Sequence, residues 1–305
     1  MNLKTLMQKY SQYLGEQDFS DLTVNGYISD LRIFAQWFEK TNGKELTLET
    51  ITPTDVKQYR QHLLLDENRT ANTINRKLSS ISALVHWAMD QGHIASNPMQ
   101  SVRMIRTTAG APRWLDKNEQ FALQRAIERD LQLSKLRYPK RWVTRRRDAS
   151  LVLFMLHTGL RLSEAVSLQV GDVQISERKG NVLVRNGKGN RQRNVPLNAE
   201  ARKALQAWYE VRPESPFVWT VVEGESGAGL GMRTIQRLLN RYAQDAEIES
   251  LSPHVLRHTF GKNLMNAGTS IEKVAALLGH ESLNTTRVYV TPSRQDLELA
   301  VESLA

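Results

Sequence analysis

Cysteine is absent from the 305 residues. That excludes disulfides and thiolate chemistry, and it removes the usual ligands of a zinc cluster. Long apolar runs are missing too: nothing approaches the length that spans a bilayer, and Met1-Asn2-Leu3-Lys4 does not open a secretory signal. There is no internal repeat and no low-complexity tract. Acidic residues are the scarcer charge, 32 against 41 Lys and Arg, for a net +9. What is present is a globular composition, 40% hydrophobic and 24% charged, at a length suited to about two domains. A basic excess on a folded chain points to an anionic partner, most often nucleic acid. The expected setting is the cytoplasm of a cell without a nucleus, at its nucleoid.

Residues 1–100 read as helices only. Leu3, Leu6, Tyr10 and Leu14 form one apolar stripe, and Thr23 is expected to open a second helix with Val24, Ile28, Leu31, Phe34 and Phe38 at helical spacing. Thr52-Pro53-Thr54-Asp55 is a capped start for a third, to about Leu65. Thr70 begins a fourth, with Ile74, Leu78, Ile81, Val85 and Ala88 inward. Its early polar side carries Asn72, Asn75, Arg76 and Lys77. That side either enters a DNA groove or is an ordinary solvated face. Residues 101–114 lack apolar periodicity, contain Gly110 and Pro112, and carry Arg103 and Arg106. They read as an interdomain linker whose arginines could follow a DNA backbone.

A second domain, 115–305, opens on Asp116-Lys117-Asn118-Glu119, a capping-box pattern. Its most basic stretch holds Lys135, Arg137, Lys140, Arg141, Arg145, Arg146 and Arg147 beside a single acid, Asp148. This favours a phosphate-facing loop. A buried helix from Ala149 to Leu156 follows, then Thr158-Gly159-Leu160-Arg161-Leu162-Ser163-Glu164. There Gly159 breaks the helix and Glu164 can brace Arg161. Period-two patterning at Val173/Ile175, Val182/Val184 and Val195/Leu197 predicts three short antiparallel strands. The last two flank Asn186-Gly187-Lys188-Gly189-Asn190, a tight turn presenting one lysine. Helices resume near Ala199–Tyr209 and Met232–Ala246. The fold class is mainly α with a small antiparallel sheet.

One later stretch gathers unusual chemistry. Ser252-Pro253 is a helix start, and His254 and Arg257 share a face of that helix near its positive end, a good place for a phosphate. A further helix after Ser282 carries Tyr289 near its end. His254 and His258 at i, i+4 lack the glutamate of the zinc-protease pattern, since Val255 stands there. Singly, Arg257 reads as a surface ion pair and Tyr289 as a core tyrosine. Together, two histidines, an arginine and a tyrosine can make a site where tyrosine attacks a phosphodiester.

These pieces resemble the tyrosine recombinases of the phage integrase family over nearly the whole chain. Thr158–Glu164 resembles the family's first arginine box, Gly187-Lys188-Gly189-Asn190 its lysine-bearing turn, and His254-Val255-Leu256-Arg257-His258 its second box. Leu278-Gly279-His280 and Tyr289, nine residues later, resemble its last histidine and its nucleophile. Val290-Thr291 depart from the Thr-His that often follows that tyrosine. The resemblance implies a helical core-binding domain at 1–100, a catalytic domain at 115–305, and a terminal helix at about 293–304 that docks into a neighbouring subunit. It implies metal- and ATP-independent cleavage and rejoining through a 3′-phosphotyrosine, by a tetramer on paired inverted sites in double-stranded DNA, with no cofactor. Arg161 and Arg257 would hold the non-bridging oxygens and His280 would donate to them. His254 would take the proton of Tyr289, and Lys188 would protonate the leaving 5′ oxygen. Glu164 would support Arg161, and His258 would belong to packing. Arg76, Lys77, Arg103, Arg106, Lys140, Arg141, Arg145, Arg146 and Arg147 are the expected DNA contacts. The readings that compete are a type IB topoisomerase, discriminated by strand exchange between two marked duplexes, and a catalytically silent DNA-binding relative.

Overall fold

The computed structural model describes residues 2–17, 19–107, 112–185, 192–223, 227–280, 282–290 and 301. The chain divides into two compact units, Met1–Gly110 and Ala111–Ala305. Among the described residues no helix is long and apolar enough to cross a membrane.

The first unit consists of α1 (Leu3–Glu16), α2 (Asp21–Asn42), α3 (Pro53–Leu65) and α4 (Ala71–Asp90). Each start is set by a side chain that takes an otherwise orphaned N–H. Thr52 and Asp55 form a reciprocal capping box ahead of Pro53, and Thr70 accepts from Thr73 N. The second helix begins earlier than its sequence suggests: the Ser20 hydroxyl accepts from Thr23 N, which makes Thr23 a first-turn residue rather than the cap. The apolar stripes close on one core around Leu31, Phe34, Phe38, Tyr59, Leu78 and Ile81.

Two expectations for this unit change. Lys77 is only 6% exposed, and its ammonium meets Asp30 at 3.3 Å. Asp30 is itself buried, and it also accepts from Arg76 and Ser80. A buried carboxylate recruits its counter-charges inward, so Lys77 is not a surface DNA contact, while Arg76 stays half-exposed beside it. The start of the expected linker is also not free. The Asn75 amide binds Ile105 in both directions, donating to its carbonyl at 2.8 Å and accepting from its N–H at 2.8 Å. Arg60 donates to the Arg103 carbonyl at 2.9 Å. Arg103 and Arg106 themselves are exposed.

The second unit runs α5 (Lys117–Arg137), α6 (Trp142–Thr158), α7 (Leu162–Val166), β1 (Val173–Ile175), β2 (Gly180–Val184), β3 (Arg193–Pro196), α8 (Ala199–Tyr209), α9 (Met232–Asp245), α10 (Pro253–Asn266), α11 (Ile271–Leu278) and α12 (Leu283–Arg287). The strands form one antiparallel sheet in the order β1-β2-β3, with Val182 opposite both Val173 and Val195. Helix α6 is the buried centre, with Leu151, Val152, Phe154 and Met155 in the core with Trp208 and Trp219. Gly159 ends it at φ +61. A side chain there would collide with Phe260 of α10, and its Cβ would lie 2.9 Å from Leu278 of α11. Only glycine lets these helices meet. The architecture is mainly helical with one small sheet, as the patterning predicts.

The basic stretch is not a phosphate-facing loop. Helices α5 and α6 take most of it and leave 138–141 between them. Arg147 is 5% exposed, forks onto Asp148 at 2.6 and 3.0 Å and donates to the Thr220 carbonyl, so it is no DNA contact. Arg145 lies over the Tyr138 ring and 3.6 Å from Asp130, an acid fifteen positions upstream that α5 brings alongside. Lys140 and Arg141 remain exposed and Arg146 half-buried. The Lys188 turn and the terminal helix at 293–304 lie outside the described residues, apart from Val301, which is exposed.

Candidate active site

Helix α11 ends in carbonyls with no helical N–H left to accept from, the negative end of its dipole. Three guanidiniums fill that need on three successive residues. Arg193 Nε donates to Leu277 O at 3.0 Å, Arg257 Nη2 to Leu278 O at 2.6 Å, and Arg161 Nη2 to Gly279 O at 2.8 Å. Arg257 also donates to Gly159 O at 2.7 Å, which joins the ends of α6 and α11. Arg161 stands just before α7, and its backbone N–H and Nη1 both donate to Glu164, at 2.8 and 2.9 Å. Each guanidinium carries more N–H donors than these acceptors use.

Tyr289 completes the cluster. The expected helix stops at Arg287, so Tyr289 lies on the turn after α12 rather than within it. It is 1% exposed and packs with Val274 and Leu278. Its ring presses against Gly261 of α10, where a Cβ would come within 2.9 Å of the ring. Its hydroxyl lies 2.8 Å from His258 Nδ1. Here the structure departs from the sequence reading. His258, expected to be a packing residue, holds the tyrosine, whereas His254, the expected base, is exposed, with its ring 6.4 Å from that of His258. One turn of α10 separates the two imidazoles, and only the second faces α12. Gly261, one turn beyond His258, is the signal in the sequence that something packs closely there.

His280 stacks on the Tyr289 ring at 6.3 Å between centroids, and its Nδ1 meets the buried Thr286 hydroxyl at 2.8 Å. A threonine O–H donated to Nδ1 leaves the imidazole proton on Nε2. Lys188 lies outside the described residues, so its place in the cluster is carried by sequence alone.

The electrostatics follow from burial among cations. Burial, then the neighbouring Arg161, lowers Arg257 to about 10. His280 is pushed down to about 4 by burial and by Arg257 and Arg161. His258 is lowered by burial, His254 and Arg257. Tyr289 is raised by burial, against the pull of Arg257. Burial would raise Glu164, but the Arg193 fork and the Arg161 N–H outweigh it and bring the carboxyl to about 2. The cluster is positive at its arginines, while burial beside them favours the neutral form of His258 and His280.

Stability should therefore depend on pH through His280. The unfolded chain takes up its proton near pH 6.5, the folded one only near 4. The contribution is fully present above 6.5 and is lost as pH falls to about 4. The thermal midpoint of the parent should fall more steeply across that window than that of His280→Gln. Equal slopes would show that the imidazole is not held neutral.

Arg193 stands in none of the motifs of the sequence, yet the strand pattern carries a cue to it. Val195 of β3 and Leu197 just past its end are buried, and period two puts Arg193 on the same face. An arginine on the core side of a strand calls for a buried acid. Among the described residues no group of three or more His, Asp or Glu is arranged to hold a metal ion.

Comparison with known proteins identifies the family. The model of the phage integrase family matches residues 132–296, and that of the phage integrase N-terminal SAM-like domain matches residues 7–92. Tyrosine recombinase XerC of Corynebacterium efficiens is 31% identical over 283 residues, 91% of this chain and 83% of that protein. Tyrosine recombinase XerC of Chlorobaculum parvum is 31% identical over 299 residues, 91% of this chain and 88% of that protein. The TnP I resolvase of Bacillus thuringiensis is 26% identical, covering 97% of this chain and 99% of that one. In fold, the XerH recombinase bound to palindromic difH substrate superposes with a TM-score of 0.73 at 22% identity, over 92% of this chain and 79% of that one. A lambda integrase (75–356) dimer bound to a COC′ core site gives 0.72 at 17% identity, over 95% of each chain. This chain belongs to the phage integrase family and is a tyrosine site-specific recombinase.

Proposed function

We propose that Tyr289 is the nucleophile and that the buried arginines around it receive the scissile phosphate of double-stranded DNA. The observation that carries this reading is the Tyr289 hydroxyl, buried and bonded to His258 at 2.8 Å, within a shell that includes Arg257. A phosphodiester is anionic and repels nucleophiles. Arg161 and Arg257, fixed from behind by carbonyls, neutralise its non-bridging oxygens most strongly as charge builds in the transition state. His280 donates Nε2–H to the same phosphate. The tyrosine oxygen bonds to phosphorus as its proton passes to an imidazole, His258 by contact in place of His254. The bond from phosphorus to the 5′ oxygen breaks, and Lys188 protonates that oxygen. The 3′-phosphotyrosine keeps the bond energy for a second 5′ hydroxyl, which releases the tyrosine. The first unit, with residues 101–114 joining it to the second, holds DNA, and four copies act together on paired inverted sites in the cytoplasm.

The test is covalent trapping. A duplex selected from a random library by the full chain, nicked beside the cleavage position, should yield a protein–DNA adduct that survives denaturation and maps to Tyr289. An adduct at another residue would refute the assignment.

Binding should weaken steeply with salt as counterions return to the phosphates. Alanine at Lys140, Arg141 or Arg146 should each reduce the slope of log affinity against log salt by about 1. Alanine at Arg147 should instead lower the unfolding midpoint, since it leaves Asp148 buried without its fork. A flat salt plot would count against phosphate tracking by this face.

A further inference from the structure

We propose that Arg193 is a positioning residue for the recombination reaction, which neutralises Glu164 so that Arg161 meets the phosphate with its charge uncompensated. This rests on the reading above that Arg161 and Arg257 hold the scissile phosphate.

Glu164 is 5% exposed and braces Arg161, but a carboxylate beside a phosphate-binding arginine is also a competitor for it. Left alone, Glu164 would draw the Arg161 fork onto itself and cancel its charge. Arg193 prevents this by occupying both carboxylate oxygens, Nη1 on Oε1 at 2.9 Å and Nη2 on Oε2 at 2.7 Å. Arg161 then reaches Glu164 only through its backbone N–H and one guanidinium nitrogen. The group of Arg161, Arg193, Arg257 and Glu164 carries three positive charges and one negative, a net of two. Without Arg193 the net falls to one, and the field on the substrate falls with it.

Geometry fixes Arg193 as firmly as its charge. Its side chain is 12% exposed, and its Nε is spent on the Leu277 carbonyl. Its guanidinium lies where a Cβ on Gly279 would approach to 2.8 Å, so the glycine at φ +66 makes room for it. Its bonds run to Glu164 and to the end of α11, the two features that also hold Arg161. Arg193 is also the first residue of β3, after the segment that carries Lys188. It therefore ties the strand to the arginines.

The experiment measures single-turnover adduct formation on the nicked selected duplex, with DNA affinity and thermal midpoint taken alongside. Arg193→Met should bind nearly as well as the parent but cleave about 10²-fold more slowly at saturating DNA, the size of one lost preorganised charge. In a Glu164→Gln background there is no carboxylate to neutralise, and adding Arg193→Met should cost less than about tenfold. Arg193→Lys, which keeps the charge and loses the fork, should stay within about tenfold of the parent. Equal losses in both backgrounds, or parent-like cleavage by Arg193→Met, would overturn the proposal. If Arg193→Met does not fold, Arg193→Lys is compared with Arg193→Gln, and equal rates for these two would overturn it. Tyr289→Phe run in parallel separates the two readings: an adduct with that variant refutes the site itself, whereas its absence beside a parent-like Arg193→Met refutes only the role of Arg193.

Discussion

Tyr289→Phe is expected to bind the selected duplex with nearly unchanged affinity and to form no covalent adduct. The substitution removes one hydroxyl, and that hydroxyl is buried against His258 rather than presented to solvent. Binding, spread over many phosphate contacts, has no reason to change. Chemistry has every reason, because the hydroxyl removed is the one that the proposed reaction bonds to phosphorus. Folding should weaken by about 1 kcal/mol, since His258 Nδ1 loses its partner. An adduct that survives the substitution would mean that another residue attacks. A large loss of DNA affinity would mean that the tyrosine holds the site together before reaction.

Lys188→Ala is expected to slow cleavage by about 10²–10⁴-fold, the range that general acid catalysis contributes. An alkoxide leaves poorly without a proton, and among the groups assigned here only Lys188 is given to the 5′ oxygen. Replacing that bridging oxygen with sulfur removes the need for the acid, because a thiolate leaves unprotonated. The variant should then recover most of its rate. Arg257→Ala should not recover: it loses stabilisation of the phosphoryl oxygens, and it also leaves the Gly159 and Leu278 carbonyls without donors. DNA binding by Lys188→Ala should change little, as one cation among many. Equal defects on oxygen and sulfur would leave Lys188 as a phosphate contact.

Much of the second unit could be read from its residues because local rules and tertiary packing agree there. Asp116 and Glu119 cap α5, Ser252 and Pro253 start α10, and the alternation from Val173 to Leu197 lays down the sheet. Sequence order also brought out Arg161, Glu164, Arg257, His280 and Tyr289, since each sits in a short recognisable run. The basic stretch misled for a physical reason. Charge counted along the chain sees Asp148 alone, while Asp130 reaches Arg145 only after α5 and α6 pack side by side.

The sequence by itself determined the helical and strand periods, the caps, the excess of positive charge and the short runs that carry the family resemblance. These depend on neighbours within a turn or a strand. Which groups touch was decided only by the tertiary structure. Three guanidiniums, from the N-terminal edge of α7, from β3 and from α10, converge on the carbonyls of residues 277–279. His258 rather than His254 meets Tyr289. Lys77 and Arg147 turn inward to buried acids. Each of these is a pairing across long stretches of chain or a choice between two faces of one element, and both are set by what a buried charge or an unfilled carbonyl requires of its surroundings.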